Sequence, residues 1–158
     1  MGRIEDAYSR YEIARSLLDK EDYAGAIREA QQCVELSVKA LLDTLNIDYI
    51  VLGHGKKKAI PHDVSGKIPE AFEKVKPLVG KHEFDLQKRY FAQAATLLRL
   101  LTAIKDHAAY GIKELQVGTK DIFDFVFAKE LARILVDLSH ESYLHMLMML
   151  DRLRSKSR

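Results

Sequence analysis

The hydrophobic and polar positions of this chain alternate with a helical period. Between Asp22 and Leu45 the apolar positions recur every three or four residues, at Ile27, Ala30, Val34, Val38, Leu41 and Leu45. That spacing places them on one side of a helix with 3.6 residues per turn. Asp22 precedes the first turn and has the side chain of a helix cap. We therefore predict a long helix over 22–45 that packs one face against a core.

The same period predicts a helix on either side of this segment. Ile4 to Leu18 presents one broad apolar face, and the polar residues Lys20, Glu21 and Asp22 connect it to the second helix as an antiparallel hairpin. A shorter helix follows Ser65, which is expected to cap it; Pro69 is tolerated in its first turn.

Two further helices complete the pattern. The fourth is expected from about Phe84 to His107, where Tyr110 and Gly111 end it, and the last from about Asp121 to Leu153. Residues 46–66 have no regular period and contain three glycines, so they predict a surface loop, and no strand is predicted. The expected fold is all-α, an up-and-down helical bundle of about five helices in a single domain over 1–158, with a basic tail at 154–158.

The last helix is apolar on more than one side, since Phe123, Val126 and Phe127 all precede Leu131 and Ile134. A helix of that kind is either central in its own domain or shared with another subunit. We expect a homodimer, formed through this helix or through the flank of the second helix that carries Glu35 and Lys39.

Composition limits the possible functions and locations of the protein but does not identify its function. The net charge of the 158 residues is only +2, so any polyanion site must be local. Cys33 is the one cysteine and lies near the apolar side of its helix, which predicts a buried thiol in a reducing compartment. We find no leader sequence and no apolar run long enough to span a membrane, so a cytoplasmic location without membrane insertion is expected.

Searches for metal and phosphate motifs return no site. Gly53-His54-Gly55-Lys56 is glycine-rich and basic but lacks the spacing of a P-loop. His140 and His145 stand five residues apart, which separates them by about 140° on a helix, whereas a zinc-binding helix needs a spacing of four. We therefore expect no metal and no cofactor.

Three separated motifs carry the remaining chemistry. Glu35 and Lys39 stand one helical turn apart, and the simplest reading is a solvated ion pair contributing roughly 0.2–0.5 kcal/mol. His62 and Asp63 form a pair in the loop. Lys105 begins the stretch Lys-Asp-His-Ala-Ala-Tyr-Gly, which ends at Gly111.

In this order the motifs resemble the HEPN domain family, the higher eukaryote and prokaryote nucleotide-binding domains. That family carries Glu and Lys one turn apart on a long second helix, then a His-Asp pair, then Arg-x-x-Ala-x-Tyr-Gly before the last helix. Lys105 here takes the place of the Arg. The resemblance implies binding of a nucleotide or RNA, with Lys105, His107, Tyr110, Glu35 and Lys39 as the binding residues, often together with a minimal nucleotidyltransferase encoded nearby.

The resemblance leaves catalysis open. Many HEPN toxins are metal-independent ribonucleases that use an Arg followed after four to six residues by a His near the start of the last helix, and this chain has Lys105 with no His soon after Gly111. Lysine lacks the bidentate fork of a guanidinium, so we expect a non-catalytic protein.

Two alternatives stay open. The first is a ribonuclease toxin of a toxin-antitoxin pair, with His107 as acid or base and Lys105 stabilising phosphate charge. Concerted action of those two residues requires the helix to break between them. The second is a helical protein-interaction module, because the first two helices also resemble a single tetratricopeptide hairpin.

Overall fold

In the computed structural model the chain folds as a helical bundle. The structure describes the backbone of residues 2–52, 58–59, 61–115 and 121–157, and it does not describe the side chains at 52, 58–59, 106–115 and 121–127. The helices are α1 (Arg3–Asp19), α2 (Tyr23–Thr44), α3 (Ile68–Val75), α4 (Phe84–Leu115) and α5 (Asp121–Lys156). The predicted all-α bundle of five helices is confirmed.

The central element is α2, which packs against each of the other four helices. All of its predicted core residues from Ile27 to Leu41 are buried, and Leu45 is half-buried. Asp22 caps the helix as predicted, because its Oδ1 accepts a hydrogen bond of 2.9 Å from the Gly25 amide. A side chain at position 25 would collide with that carboxylate, so the cap and the glycine depend on each other.

Cys33 faces the interior of the bundle, as its position in the stripe indicated. Its thiol is fully buried and lies 3.8 Å from the Ser139 carbonyl oxygen on α5. Burial raises the pKa of this thiol to about 12, so it is a packing residue rather than a nucleophile.

The loop after α2 contains a short feature that the sequence did not predict. Two-residue strands β1 (Val51–Leu52) and β2 (Lys58–Ala59) pair antiparallel, with Val51 opposite Ala59. The glycine-rich residues 53–57 between them, including His54, lie outside the described residues.

The start of the third helix differs in detail from the prediction. Ser65 does not cap α3, so that prediction was wrong; its amide instead donates a hydrogen bond of 2.9 Å to Asp63 Oδ1 two residues earlier. A single 3-10 turn, Ser65–Lys67, precedes α3, and Pro69 occupies the first turn of α3 as expected.

The fourth helix is longer than predicted. It continues through Tyr110 and Gly111 to Leu115, so the expected end at those two residues was wrong. A single glycine weakens a helix but does not stop it unless the backbone turns left-handed there.

The end of α5 is attached to the bundle. The Arg152 guanidinium binds the Glu83 carboxylate, which holds the pKa of that carboxyl below its usual value, and Lys156 Nζ donates to the Leu78 carbonyl at 2.6 Å. The first part of the basic tail, which belongs to α5, is therefore attached to the bundle. None of the helices in the described ranges combines the length and apolarity that crossing a bilayer requires.

Candidate functional site

The Glu35–Lys39 pair lies in the interior of the bundle and is not solvated. The two side chains are only 5% and 4% exposed, and Lys39 Nζ lies 2.5 Å from Glu35 Oε1. The prediction of a solvated ion pair was therefore wrong. The spacing of four does bring the two charges together, but other elements of the bundle cover them.

A third polar residue continues this row along α2. Gln31, fully buried and one turn before Glu35, donates a hydrogen bond of 2.7 Å from Nε2 to Glu35 Oε2. Both carboxylate oxygens are thus occupied by donors on the same helix. Sequence reasoning missed Gln31, although its spacing of four from Glu35 was a usable signal.

The His-Asp pair of the loop contacts Glu35 through its histidine. His62 Nδ1 lies 3.3 Å from Glu35 Oε2, while the His62 side chain is 63% exposed. The neighbouring Asp63 Oδ2 lies 3.9 Å from Arg99 Nε on α4. The pair therefore connects the loop to α2 on one side and to α4 on the other.

Further contacts extend the row toward the C-terminal end of α2 and connect it to the start of α1. Lys39 Nζ lies 5.8 Å from the centroid of the Tyr49 ring, within the range of a cation–π contact. The Tyr49 hydroxyl donates to Asp43 Oδ1 at 2.9 Å, and Arg3 Nε donates to Asp43 Oδ2 at 2.7 Å. Burial and the adjacent Asp43 raise the pKa of Tyr49 to about 12, so it remains protonated.

We call Gln31, Glu35, Lys39 and His62 the α2 polar cluster. Its carboxylate has a lysine as counter-charge, and each of its two oxygens accepts a hydrogen bond within the bundle. Within the chain, the contact of His62 with Glu35 joins the 61–65 segment to α2. His62 is its one member with a largely exposed side chain.

The predicted binding residues Lys105, His107 and Tyr110 all belong to α4. Lys105 is half-buried, and among the described residues it forms no ion pair or hydrogen bond with Glu35 or Lys39. It is six residues beyond Arg99, about 9 Å farther along the helix. His107 and Tyr110 belong to α4, but their side chains lie outside the described residues.

The extension of α4 bears on the ribonuclease alternative. Positions 105 and 107 belong to one unbroken helix, where positions two apart are separated by about 160° around the axis. The break that concerted use of Lys105 and His107 requires does not occur there.

The two histidines of α5 are packing residues. His140 stacks on Tyr11 of α1 with ring centroids 4.1 Å apart, and His145 stacks on Tyr90 of α4 at 3.6 Å. They thus point toward different helices, as a spacing of five indicates. Within the described ranges no three His, Cys, Asp or Glu side chains converge on a possible metal site.

Comparison with known proteins supports one family. The HEPN domain model matches residues 2–76, which contain α1, α2, the His62–Asp63 pair and α3. Lys105, His107 and Tyr110 lie beyond the matched residues. Comparison with curated proteins and with solved structures found no match. The matched segment holds the Glu, Lys and His-Asp motifs in the predicted order, and the predicted resemblance to the HEPN domain family is confirmed over these residues.

Proposed function

We propose that this protein binds a nucleotide or RNA and does not cleave it. The observation that carries the proposal is the match of residues 2–76 to the HEPN domain model. That family is associated with nucleotide and RNA chemistry. The contacts are assigned to Lys105, His107 and Tyr110 on the second half of α4, where the resemblance placed them.

The α2 polar cluster supports the non-catalytic part of the proposal. Glu35 and Lys39 lie 2.5 Å apart in the interior, so each already has a counter-charge, and we assign neither of them a catalytic step. In the α4 stretch, Lys105 offers a phosphate one point charge instead of the two parallel hydrogen bonds of an arginine.

The proposed assembly is a homodimer that acts with a minimal nucleotidyltransferase. Support for the dimer comes from the apolar side chains that α5 leaves exposed, since Ile134 and Met148 are 54% and 53% exposed and Leu131 is 43% exposed. Light scattering tests the dimer, which should give about twice the 18.0 kDa of one chain. Co-purification with the product of an adjacent nucleotidyltransferase gene tests the partner.

The binding test compares RNA affinity and RNA cleavage in the same preparations. We expect Lys105→Ala to weaken binding of a single-stranded RNA and to reduce the slope of log affinity against log salt by about 0.7, the value for one phosphate contact on a single strand. Lys81→Ala, an exposed lysine before α4, is the control and should change neither quantity.

Cleavage is measured without added metal in wild type, Lys105→Ala and His107→Ala. Background cleavage in all three proteins is the expected result. Efficient cleavage by wild type that either substitution abolishes, with the helical circular dichroism retained, would establish the ribonuclease toxin instead. Absence of RNA and nucleotide binding at any salt concentration would leave the interaction module.

A further inference from the structure

A cavity of about 450 Å³ opens between α3 and the first turns of α4. The two helices run in opposite directions along it, because the ring centroids of Phe72 and Phe91 lie 5.5 Å apart, whereas Nζ of the later Lys76 lies 6.0 Å from the ring centroid of the earlier Phe84. The volume lies in the range of about 300–1,000 Å³ that is typical of small-molecule sites. Its described lining shares no residue with the α2 polar cluster.

One end of this groove is apolar. The rings of Phe72 and Phe91 meet there edge to face, and Phe72 is half-buried, so part of its ring stays open to the groove. A large apolar side chain placed against these rings would be removed from water, and an aromatic one could add a further edge-to-face contact. The apolar lining is formed by Ile68, Pro69, Phe72, Phe91, Ala92 and Ala95.

The other end of the groove is charged, with two acidic and two basic side chains in its lining. Two of them already face each other, since Lys76 Nζ lies 3.9 Å from Glu73 Oε2. Asp85 and Lys88 are exposed and have no ion-pair partner among the described residues. One carboxylate and one ammonium are therefore available to a ligand.

These two available charges lie close enough for one small molecule to contact both. Asp85 and Lys88 are three positions apart on α4, a spacing that makes side chains neighbours, with Cβ atoms about 5–6 Å apart. A ligand with only a negative charge would be repelled by Asp85, and a ligand with only a positive charge would be repelled by Lys88. A carboxylate and an ammonium on one carbon atom complement the pair.

We infer that this groove binds a free α-amino acid with a large apolar side chain, and that it binds aromatic side chains most tightly. The side chain packs against Phe72 and Phe91, the carboxylate lies beside Lys88, and the ammonium lies beside Asp85. Because both charged groups are exposed, they orient the ligand, while burial of its apolar side chain supplies most of the affinity. The positions assigned above to nucleotide or RNA binding come later on α4, and this site does not depend on them.

Amide NMR of ¹⁵N-labelled protein tests the groove with four probes. L-Phenylalanine should shift the amides of Phe72, Lys88 and Ala92. Phenylalanine amide, which lacks the carboxylate, and N-acetylphenylalanine, which lacks the ammonium, should each bind about two- to fivefold more weakly, the effect of one exposed charge contact. Glycine, which has both charges but no side chain, should shift none of the three. Equal affinity for phenylalanine and either derivative would overturn the inference, as would no shift up to the solubility limit of phenylalanine.

Matched variants then assign each charge. Lys88→Met should weaken binding of phenylalanine and leave binding of its amide unchanged, because the amide has no carboxylate. Asp85→Asn should weaken binding of phenylalanine and leave binding of N-acetylphenylalanine unchanged. Arg89→Met, next to Lys88 but outside the groove lining, is the control and should change none of these affinities. If Lys88→Met weakens phenylalanine and its amide equally, Lys88 does not recognise the carboxylate and the inference is wrong.

Filling the groove tests its location. Ala92 is exposed within the lining, so Ala92→Trp should remove the phenylalanine-induced shifts at Phe72 and Lys88, whereas Ala103→Trp, at an exposed alanine farther along α4, should retain them. Retained shifts in Ala92→Trp, with the circular dichroism of wild type, would reject the groove. Phenylalanine binding by a protein that binds no RNA or nucleotide would support the groove and reject the proposed function, and RNA binding without phenylalanine binding would do the reverse.

Discussion

The Glu35–Lys39 pair of α2 and His145 of α5 are titratable groups in two parts of the bundle, and their surroundings treat charge differently. On α2, Glu35 and Lys39 remain charge partners in the interior, at 2.5 Å, with Gln31 donating to the same carboxylate. On α5, His145 stacks on Tyr90 at 3.6 Å, and burial lowers its pKa, which favours the neutral ring.

The difference follows from the partners that each helix meets. A buried charge is tolerated when an opposite charge and hydrogen bonds replace water. The Nδ1 atom of His145 is buried with no hydrogen-bond partner among the described residues, so its environment favours the uncharged form. The carboxylate of Glu35 is therefore accommodated by an opposite charge and a hydrogen bond, whereas the ring of His145 is accommodated in its uncharged form.

The largest expected effect comes from breaking the charge pair on α2. Lys39→Met removes the ammonium and leaves Glu35 buried without its counter-charge, so the free energy of unfolding should fall by about 3–5 kcal/mol. Urea denaturation followed by circular dichroism measures it.

Two controls sharpen that measurement. The double variant Glu35→Leu/Lys39→Met should recover most of the loss, because it removes both charges and keeps apolar volume. Arg3→Ala breaks the exposed pair with Asp43 and should cost less than about 1 kcal/mol. Equal losses in Lys39→Met and Arg3→Ala would contradict the distinction between interior and surface pairs.

A smaller effect is expected from the neutral histidine of α5. Because the folded pKa of His145 lies below its ordinary value of 6.5, the unfolded chain binds the extra proton in that interval. The contribution of His145 to stability should therefore rise as pH increases through the window below 6.5, with a slope of at most about 1.4 kcal/mol per pH unit for one proton.

The variant His145→Phe keeps a ring against Tyr90 and removes the titration. Its free energy of unfolding should depend less on pH than that of wild type between pH 5 and about 6.5, and the two proteins should differ least above that window. A pH dependence identical to that of wild type would show that His145 is not held neutral.

The smallest effect is expected where the α2 polar cluster meets solvent. His62→Ala removes an exposed side chain whose ring nitrogen lies 3.3 Å from Glu35, so global stability should change by less than about 1 kcal/mol. The local effect should be larger: amide exchange at Val64 and Ser65 should accelerate while exchange in α2 remains slow. Unchanged exchange at both residues would mean that His62 does not hold this segment.

Several features of the fold could be predicted because they depend on local periodicity. The stripe from Ile27 to Leu41 and the cap at Asp22 specify α2 without reference to any other element, and both are as predicted. The spacing of five between His140 and His145 excluded a shared metal for the same reason. The predicted end of α4 was wrong, because Tyr110 and Gly111 allow a helix to end there but do not require it.

Whether each residue of the candidate site is buried or exposed depends on the elements that pack over it. The sequence determined that Glu35 and Lys39 share one side of α2, since a spacing of four does so in any helix. Only the tertiary structure decided that they are buried, that His62 contacts Glu35 and that Phe72, Phe84 and Phe91 line one groove. These properties arise from contacts between residues distant in the chain, and helical periodicity describes one helix without specifying its neighbours.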